Sequence, residues 1–429
     1  MANVNTASPV ASQRLMSLDA LRGFDMFWII GAEPLVDALR RLHDTPATRF
    51  LATQLEHVDW AGFHFEDLIF PLFVFMVGVA LVYSLSRTIA QEGKLGAVKR
   101  ILRRSVLLYV VGIIYSGGVT NAWPDIRVSG VLNRIAVAYC FAGLLFCFLK
   151  PRALIAVAAG ILLGYWALLA LTPIRDIQLD KARLAERAEQ MGDAQAAALL
   201  RGAGNFSAVK DSPAWAAAER VFFATTNRVT GKFDKGYNVV DHFDFRHMPG
   251  RKYDVFFDPE GWLSMFPAVV TCLLGVFAGW LLTNTSVDDK RKVIYLLAAG
   301  AVAVAVGWLW NLQFPVIKKI WTSSYVLVAG GYSALLLGTF YLVVDVWKLQ
   351  MWCQPFVWIG MNPITLYLTS NFLGGFRPLA RRLAGGDVQA WFNNHVAQGA
   401  GDLLVAAVAL SLVFWLANFL YRKKVFLRF

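Results

Sequence analysis

Long unbroken runs of apolar residues set the strongest limit on how this chain can fold. The runs are about 18–23 residues long, the length at which an α-helix crosses the roughly 30 Å hydrocarbon layer of a membrane. A soluble helical protein would instead show narrow apolar stripes of helical period. Only 16% of the 429 residues are charged, against about a quarter in an ordinary soluble domain. The sequence therefore predicts an all-α integral membrane protein.

The number and order of these runs predict a polytopic bundle of about ten transmembrane helices. The predicted spans are 19–37, 67–86, 105–118, 131–149, 153–172, 262–283, 293–312, 324–346, 354–372 and 402–421. We expect one transmembrane domain over residues 1–429, with 173–261 as a periplasmic insertion between spans five and six. The first part of the insertion, 179–201, is predicted to be an exposed helix or helical hairpin, and 231–261 is predicted to be loop.

The distribution of positive charge orients the predicted bundle. The formal net charge is +12, and every even-numbered gap between spans is basic, which by the positive-inside rule places both termini in the cytoplasm. Some odd-numbered gaps are basic too, for example at Arg40 and Arg381. Because the charges stand between spans, they indicate topology and contact with the lipid bilayer, and we expect no nucleic-acid partner. The polar first 15 residues argue against a cleavable signal peptide.

The first predicted span carries charges that a membrane interior tolerates only in pairs or in a wet cavity. Asp19, Arg22 and Asp25 are spaced by three residues and so share one face of a helix. Either carboxylate could pair with Arg22. We interpret the group as a structural ion pair, with the wall of a polar cavity as the alternative.

The segment between spans one and two has the residues best suited to proton transfer. It reads HVDWAGFHFEDLIFP, starting at His57. Histidine titrates near neutral pH, and Trp60 offers a flat face for a sugar ring. If the segment is helical, His57, Trp60 and His64 share a face. Asp67 enters the next span, where an acid is costly, and it is predicted to bind substrate. All six histidines fall on the predicted outer side, so the chemistry is expected there.

Other polar residues stand beside or within spans. Gly360 to Pro363 interrupt span nine, where a proline frees a carbonyl and kinks the helix. Lys318 and Lys319 precede span eight and are interpreted as interfacial anchors. The residues predicted to bind substrate in these places are Asn133, Arg134, Asp258, Ser323 and Asn362. The four cysteines have no metal-ligand spacing, and we expect no metal. No Walker loop, HExxH or GxSxG motif occurs.

Several of these motifs together resemble a known family. They are SLDALRGFDM, HVDWAGFHFEDLIFPLFVFMVG, VSGVLNRIAVAY, DPEGWL, IKKIWTSSYVL and GMNPITLY, in this order along the chain. The chain resembles the transmembrane acetyltransferases represented by heparan-α-glucosaminide N-acetyltransferase, and in particular their bacterial branch. The resemblance implies a multi-pass protein of the bacterial inner membrane, and we expect this chain to start at the ten-span core.

The family resemblance also implies a reaction. It is the transfer of acetyl from cytosolic acetyl-CoA to the amine of a glucosamine-type sugar on the far side, with His57 as the active-site histidine. Human-type members have an active-site Asn where we align Glu33, which is predicted to bind substrate. The residues predicted to bind the phosphates of CoA are chosen only because they are basic and lie on the predicted cytoplasmic side; they are Arg87, Arg100, Arg103 and Arg104.

The residues leave several alternatives open. Direct transfer in a ternary complex and an acetyl-histidine intermediate fit equally well, and the sequence does not decide whether the protein forms a homodimer. A transporter for an amino-sugar or another small solute would also use intramembrane ion pairs and a kinked span. A non-catalytic scaffold would leave the histidine cluster unexplained.

Overall fold

The protein is built almost entirely from helices. Our computed structural model describes residues 15–120, 122–202 and 212–426, without the side chains of 32, 33 and 124. Outside the insertion, the helices of the first part are α1 (Met16–Phe27), α2 (Glu33–Leu42), α4 (Phe65–Tyr115), α5 (Val131–Phe148) and α6 (Pro151–Leu171), with the short α3 (Pro46–Gln54) in a connection. Those of the second part are α11 (Met265–Thr283), α12 (Asp289–Trp310), α13 (Ser323–Phe340), α14 (Gln354–Gly360), α15 (Pro363–Phe372) and α18 (Ala400–Arg422), with α16 (Arg377–Ala384) and α17 (Asp387–His395) between α15 and α18.

Seven helices in the described residues are long and apolar enough to cross a membrane. This agrees with an all-α membrane protein, and the predicted count of ten spans stays a prediction. Predicted spans two and three lie in the single 51-residue helix α4. It turns at Gly93, whose φ of 73° is a backbone conformation that glycine adopts without strain. The connection between predicted spans two and three, which we expect to be a loop, is therefore helical on both sides of Gly93.

Two predicted spans are interrupted. The first is helical only to Phe27, passes through a π-helical stretch at Trp28–Ala32, and continues as α2. Gly31 is extended there, and Pro34 has no N–H to donate to the preceding turn. Span nine is divided into α14 and α15 at Asn362, which confirms the predicted break before Pro363.

Glycines allow the helices of the bundle to approach closely. A Cβ at Gly23 of α1 would overlap the carbonyl of Phe356 in α14, and one at Gly360 would overlap the carbonyl of Asp19. Gly78 of α4 and Gly275 of α11 form a second reciprocal pair against the opposing backbone. Such small-residue crossings are a main source of helix association in membranes, because lipid offers no hydrophobic driving force between helices.

The insertion at 173–261 folds around its own aromatic core. Its helices are α7 (Lys181–Gln190), α8 (Ala194–Gly202), α9 (Pro213–Ala224) and α10 (Val239–His247). The two-residue strands β1 (Ile174–Arg175) and β2 (Arg228–Val229) pair antiparallel, as do β3 (Phe233–Asp234) and β4 (Tyr237–Asn238). Trp215, Phe222 and Phe245 are buried among these helices. The predicted helical hairpin is present as α7 and α8, but the prediction of loop over 231–261 is wrong at α10, where Asn238 caps the helix by accepting the N–H of Asp241 at 2.9 Å.

Candidate active site

The first turn of α4 fixes the position of His57. The carboxylate of Asp67 lies 3.1 Å from the Nδ1 atom of His57. Its other oxygen accepts the backbone N–H groups of His64, at 3.1 Å, and Val58, at 3.3 Å. Because the helix N-terminus favours negative charge, this buried carboxylate can hold the connecting segment and the imidazole together. Asp67 is 2% exposed, whereas His57 is 57% exposed and open to solvent.

The segment from His57 to His64 is not helical, so the helical face that could join its two histidines and Trp60 does not form. A single β-bridge holds Ala61 against Ile317, and the N–H of Gly62 donates to the carbonyl of Val316 at 2.9 Å. The ring of His64 contacts the carbonyl of Glu56 at 2.8 Å. Thus only His57 of the two histidines lies against the cavity described next.

The His57 cavity is a space of about 560 Å³ beside this segment. Among the residues that line it are His57, Trp60, Arg134, Glu260 and Lys318. Trp60 is anchored through its Nε1 atom to the carbonyl of Phe233 at 2.7 Å. The cavity therefore joins a titratable imidazole, a fixed aromatic face and charges of both signs.

One wall of the His57 cavity is held by a buried ion-pair network. Arg127 donates to both oxygens of Asp258, at 2.9 and 2.7 Å, and to Glu260 at 2.7 Å. Burial by itself would lower the pKa of Arg127, but Asp258 and Glu260 outweigh it and raise that pKa. The predicted substrate ligand Asp258 is thus occupied by Arg127 and is fully buried.

Arg134 lies deeper in the same wall. It donates to the carbonyl of Pro259 at 2.9 Å, contacts the hydroxyl of Ser264, and stands 4.4 Å from the ring centroid of Trp321. Cation–π contact is worth most for a desolvated cation such as this one. Arg134 is 1% exposed yet lines the cavity.

The arginine cavity is a second space, of about 650 Å³. Arg100, Arg103 and Arg104 line it together with Arg22 and Lys99. The guanidinium of Arg104 stands 4.8 Å from the ring centroid of Tyr139, and Arg100 donates to Thr88 at 3.3 Å. Three of the four arginines predicted to bind CoA are therefore together. Arg87 is not part of this lining.

Three apolar residues line both cavities and separate them. These residues, which we call the apolar partition, are Phe73, Ile135 and Ile364. Phe73 and Ile135 come from α4 and α5, whereas Ile364 lies just after the break at Asn362. The break in span nine thus places one side chain of the partition.

The remaining predicted site residues have other surroundings. The side chain of Glu33 lies outside the described part. Asn133 donates to the carbonyl of Tyr109 at 2.9 Å, Ser323 to that of Leu162 at 2.7 Å, and Asn362 to that of Val425 at 2.9 Å. These three line neither cavity, and their predicted role in substrate binding stays a prediction.

The predicted charge group of span one is divided in the structure. Arg22 binds Asp19 at 3.3 Å and lines the arginine cavity. Asp25 is buried, and neither of its carboxylate oxygens accepts a hydrogen bond from the described residues. In the part of the chain that the structure describes, no three His, Cys, Asp or Glu side chains are grouped to hold a metal ion.

Comparison with known proteins finds similarity to one family. Residues 14–179 match the family model described as heparan-alpha-glucosaminide N-acetyltransferase, catalytic. The human heparan-alpha-glucosaminide N-acetyltransferase is 28% identical over 411 residues, which cover 86% of this chain and 55% of that protein. The chain is thus similar to this family, most clearly over residues 14–179. The mouse heparan-alpha-glucosaminide N-acetyltransferase is 27% identical over 395 residues, with 86% of this chain and 56% of its own length covered.

The chain therefore spans about half the length of the curated relatives that it matches. The matched catalytic region of the heparan-alpha-glucosaminide N-acetyltransferase family includes His57, Asp67 and Arg134, as well as the three clustered arginines. Lys318 lies beyond it, yet its ammonium is 3.1 Å from His57 and 3.4 Å from Asp67. The sequence predicts only an interfacial anchor for Lys318, because its one signal there is a basic pair beside an apolar span.

Proposed function

We propose that this protein is a membrane-embedded N-acetyltransferase that moves acetyl from acetyl-CoA to the amine of a glucosamine-type sugar. Acetyl-CoA enters from the cytoplasm and the sugar from the opposite, periplasmic side. The chain crosses the inner membrane ten times with both termini in the cytoplasm. The family relationship supports the reaction class.

The observation that carries the proposal is the pair of cavities that meet at the apolar partition. The arginine cavity has the charge to attract the phosphates of CoA, and these phosphates cannot cross hydrocarbon. The uncharged pantetheine arm can pass Phe73, Ile135 and Ile364 and bring the thioester to the His57 cavity. A binding module or a scaffold would not need two adjoining cavities of this kind.

The His57 cavity contains the groups that acyl transfer to an amine requires. Trp60 provides a surface for the sugar ring, and His57 takes a proton from the attacking amine. The amine nitrogen bonds to the thioester carbon, the C–S bond breaks, and the CoA thiolate receives the proton from the imidazolium. Arg134 is the cation available to the developing oxyanion. An acetyl-His57 intermediate is the second route, and acid quenching followed by mass spectrometry of the His57 peptide distinguishes the two.

Two assays test the proposed function. Purified protein with acetyl-CoA and a panel of amino-sugars should release free thiol, with sugars that lack an amine as controls. In sealed vesicles of known orientation, acetyl-CoA on the cytoplasmic face should acetylate glucosamine on the other face. Donor offered only on the far side should fail until detergent opens the vesicles.

The competing transporter function gives a different result in the same vesicles. Labelled amino-sugar would accumulate unmodified, and no thiol would be released. Equal use of acetyl-CoA from both faces would contradict passage of the donor arm through the partition.

A further inference from the structure

Lys318 completes a three-membered charge cluster with His57 and Asp67. Its Nζ atom is 3.1 Å from the Nδ1 atom of His57 and 3.4 Å from Oδ1 of Asp67, the oxygen that also faces the imidazole. Both partners are more than 250 positions away in the sequence. The cluster therefore exists only because the turn before α13 is folded against the segment before α4.

The backbone around Lys318 is fixed firmly enough to hold this geometry. Ala61 and Ile317 form the β-bridge described above, and the hydroxyl of Thr322 accepts the N–H of Ile317 at 3.0 Å. The carbonyl of Lys318 accepts the N–H of Trp321 at 3.0 Å. The lysine side chain is only 21% exposed, so most of its aliphatic chain is buried and holds the ammonium beside the imidazole.

The charges around His57 oppose each other. A carboxylate beside an imidazole favours the protonated ring, and the protonated ring has no lone pair for an incoming amine. Glu66 and Glu260 add negative charge near Lys318. The ammonium of Lys318 acts in the opposite direction, because a positive charge at 3.1 Å disfavours a second one on the ring. Burial lowers the pKa of Lys318, while Asp67, Glu66 and Glu260 act to raise it.

We propose that Lys318 is a positioning residue whose ammonium offsets the charge of Asp67 beside the His57 imidazole and thereby favours the uncharged ring. This inference rests on the proposed function, in which His57 accepts a proton. When the Nδ1–H group of His57 donates to Asp67, the lone pair on Nε2 is left for the amine of the sugar, and Lys318 acts on the ring through its charge and not through a hydrogen bond.

The test uses a readout that is independent of acetyl transfer. Diethyl pyrocarbonate modifies neutral imidazole and not imidazolium, and mass spectrometry of the His57 peptide gives the modification rate between pH 5 and 9. In Lys318→Met, the pH of half-maximal reactivity should rise by about one unit, the scale of one unit charge at this distance in a water-like medium. Lys318→Arg keeps the charge and should stay close to the wild type.

Lys319 provides a matched control. It is the next residue and also lines the cavity, but its Nζ atom binds Asp254 at 2.8 Å, so Lys319→Met should leave the midpoint of His57 in place. The acid limb of the pH–rate profile for acetyl transfer should move with the reactivity midpoint in Lys318→Met.

The outcomes separate the two proposals. An unchanged midpoint in Lys318→Met, or an equal shift in Lys319→Met, would overturn the role of Lys318. A shifted midpoint without acetyl transfer to any amino-sugar would leave the electrostatic role of Lys318 standing and remove the proposed function. If Lys318→Met does not fold, Lys318→Gln supplies the same loss of charge with a polar head.

Discussion

Arg127 and Asp258 join two distant parts of the chain through a two-pronged ion pair with distances of 2.9 and 2.7 Å. Arg127 lies in the connection before α5, and Asp258 is near the end of the insertion. Breaking a buried pair leaves one charge uncompensated, at a cost of about 3–5 kcal/mol. Arg127→Ala should therefore lower the melting temperature in detergent strongly. Arg183→Ala is the control, because its pair with Glu186 is more than half exposed and should contribute about 1 kcal/mol or less.

The second prediction concerns the imidazole and its carboxylate. His57→Ala should reduce acetyl transfer about a hundredfold or more, the scale of losing a general base, while binding of acetyl-CoA persists. Asp67→Asn should also reduce it, since the ring loses its charged partner. His64→Ala should retain most activity, because His64 lies outside the cavity lining. Near-normal turnover in His57→Ala would remove this residue from the mechanism.

The arginine cavity predicts how the donor is recognised. Replacing Arg100, Arg103 and Arg104 together with Gln should raise the KM for acetyl-CoA and leave that for the sugar nearly unchanged. The dependence of the KM on salt should also weaken, because fewer charges remain to be screened. Arg87→Gln is the control outside the cavity. If the triple variant keeps the wild-type KM, these arginines act only as topology signals.

The close crossing of α1 and α14 predicts that position 23 accepts no side chain larger than that of glycine. Gly23→Leu would force a side chain into the carbonyl of Phe356, so the helices must separate and the folded yield should collapse. Gly160→Leu on α6 is the matched control, because a Cβ there meets no atom within 4 Å. Size-exclusion profiles of both variants in detergent measure the difference.

The insertion should respond to pH through Asp244. Burial, followed by the nearby Asp258, raises the pKa of Asp244 to about 7. Since this folded-state pKa lies above the ordinary value of 3.8, the protonated form of Asp244 is the one that the folded protein favours. Its contribution to the stability of the fold is complete below about pH 4 and is lost as the pH rises through 7. Asp244→Asn should therefore gain stability relative to the wild type between pH 5 and 8, by the order of a few kcal/mol. Melting curves of both proteins at pH 5 and pH 8 test this, because the advantage of Asp244→Asn should be larger at pH 8. The same difference in melting temperature at both pH values would contradict the prediction.

The sequence predicted the parts of the site that rest on local chemistry. His57 and Asp67 are ten positions apart, on either side of a helix start, and their types alone suggested proton transfer and a costly buried acid. The break at Asn362 followed from the geometry of Pro363. These features depend on neighbours in the chain, which a single sequence displays directly.

The parts that the sequence did not predict depend on distant contacts. Lys318 lies beside His57 because Ala61 and Ile317 form a β-bridge, and no periodic pattern in the sequence predicts that bridge. Helix α10 was missed because Gly, Asp and aromatic residues surround it, and its stability comes from burial of Phe245 in the core of the insertion. The continuity of α4 was hidden because a single glycine supplies the turn where a loop was expected.

The apolar partition also bears on the membrane as an electrical insulator. An enzyme that joins reactants from opposite faces risks opening a leak for protons and ions. The three hydrocarbon side chains of Phe73, Ile135 and Ile364 present no polar group on which a hydrated ion could exchange its water. Under the proposed function, a flexible neutral chain would push them aside for the moment of transfer, and they would close behind it. A membrane that carries this protein would then keep its voltage during acetyl transfer.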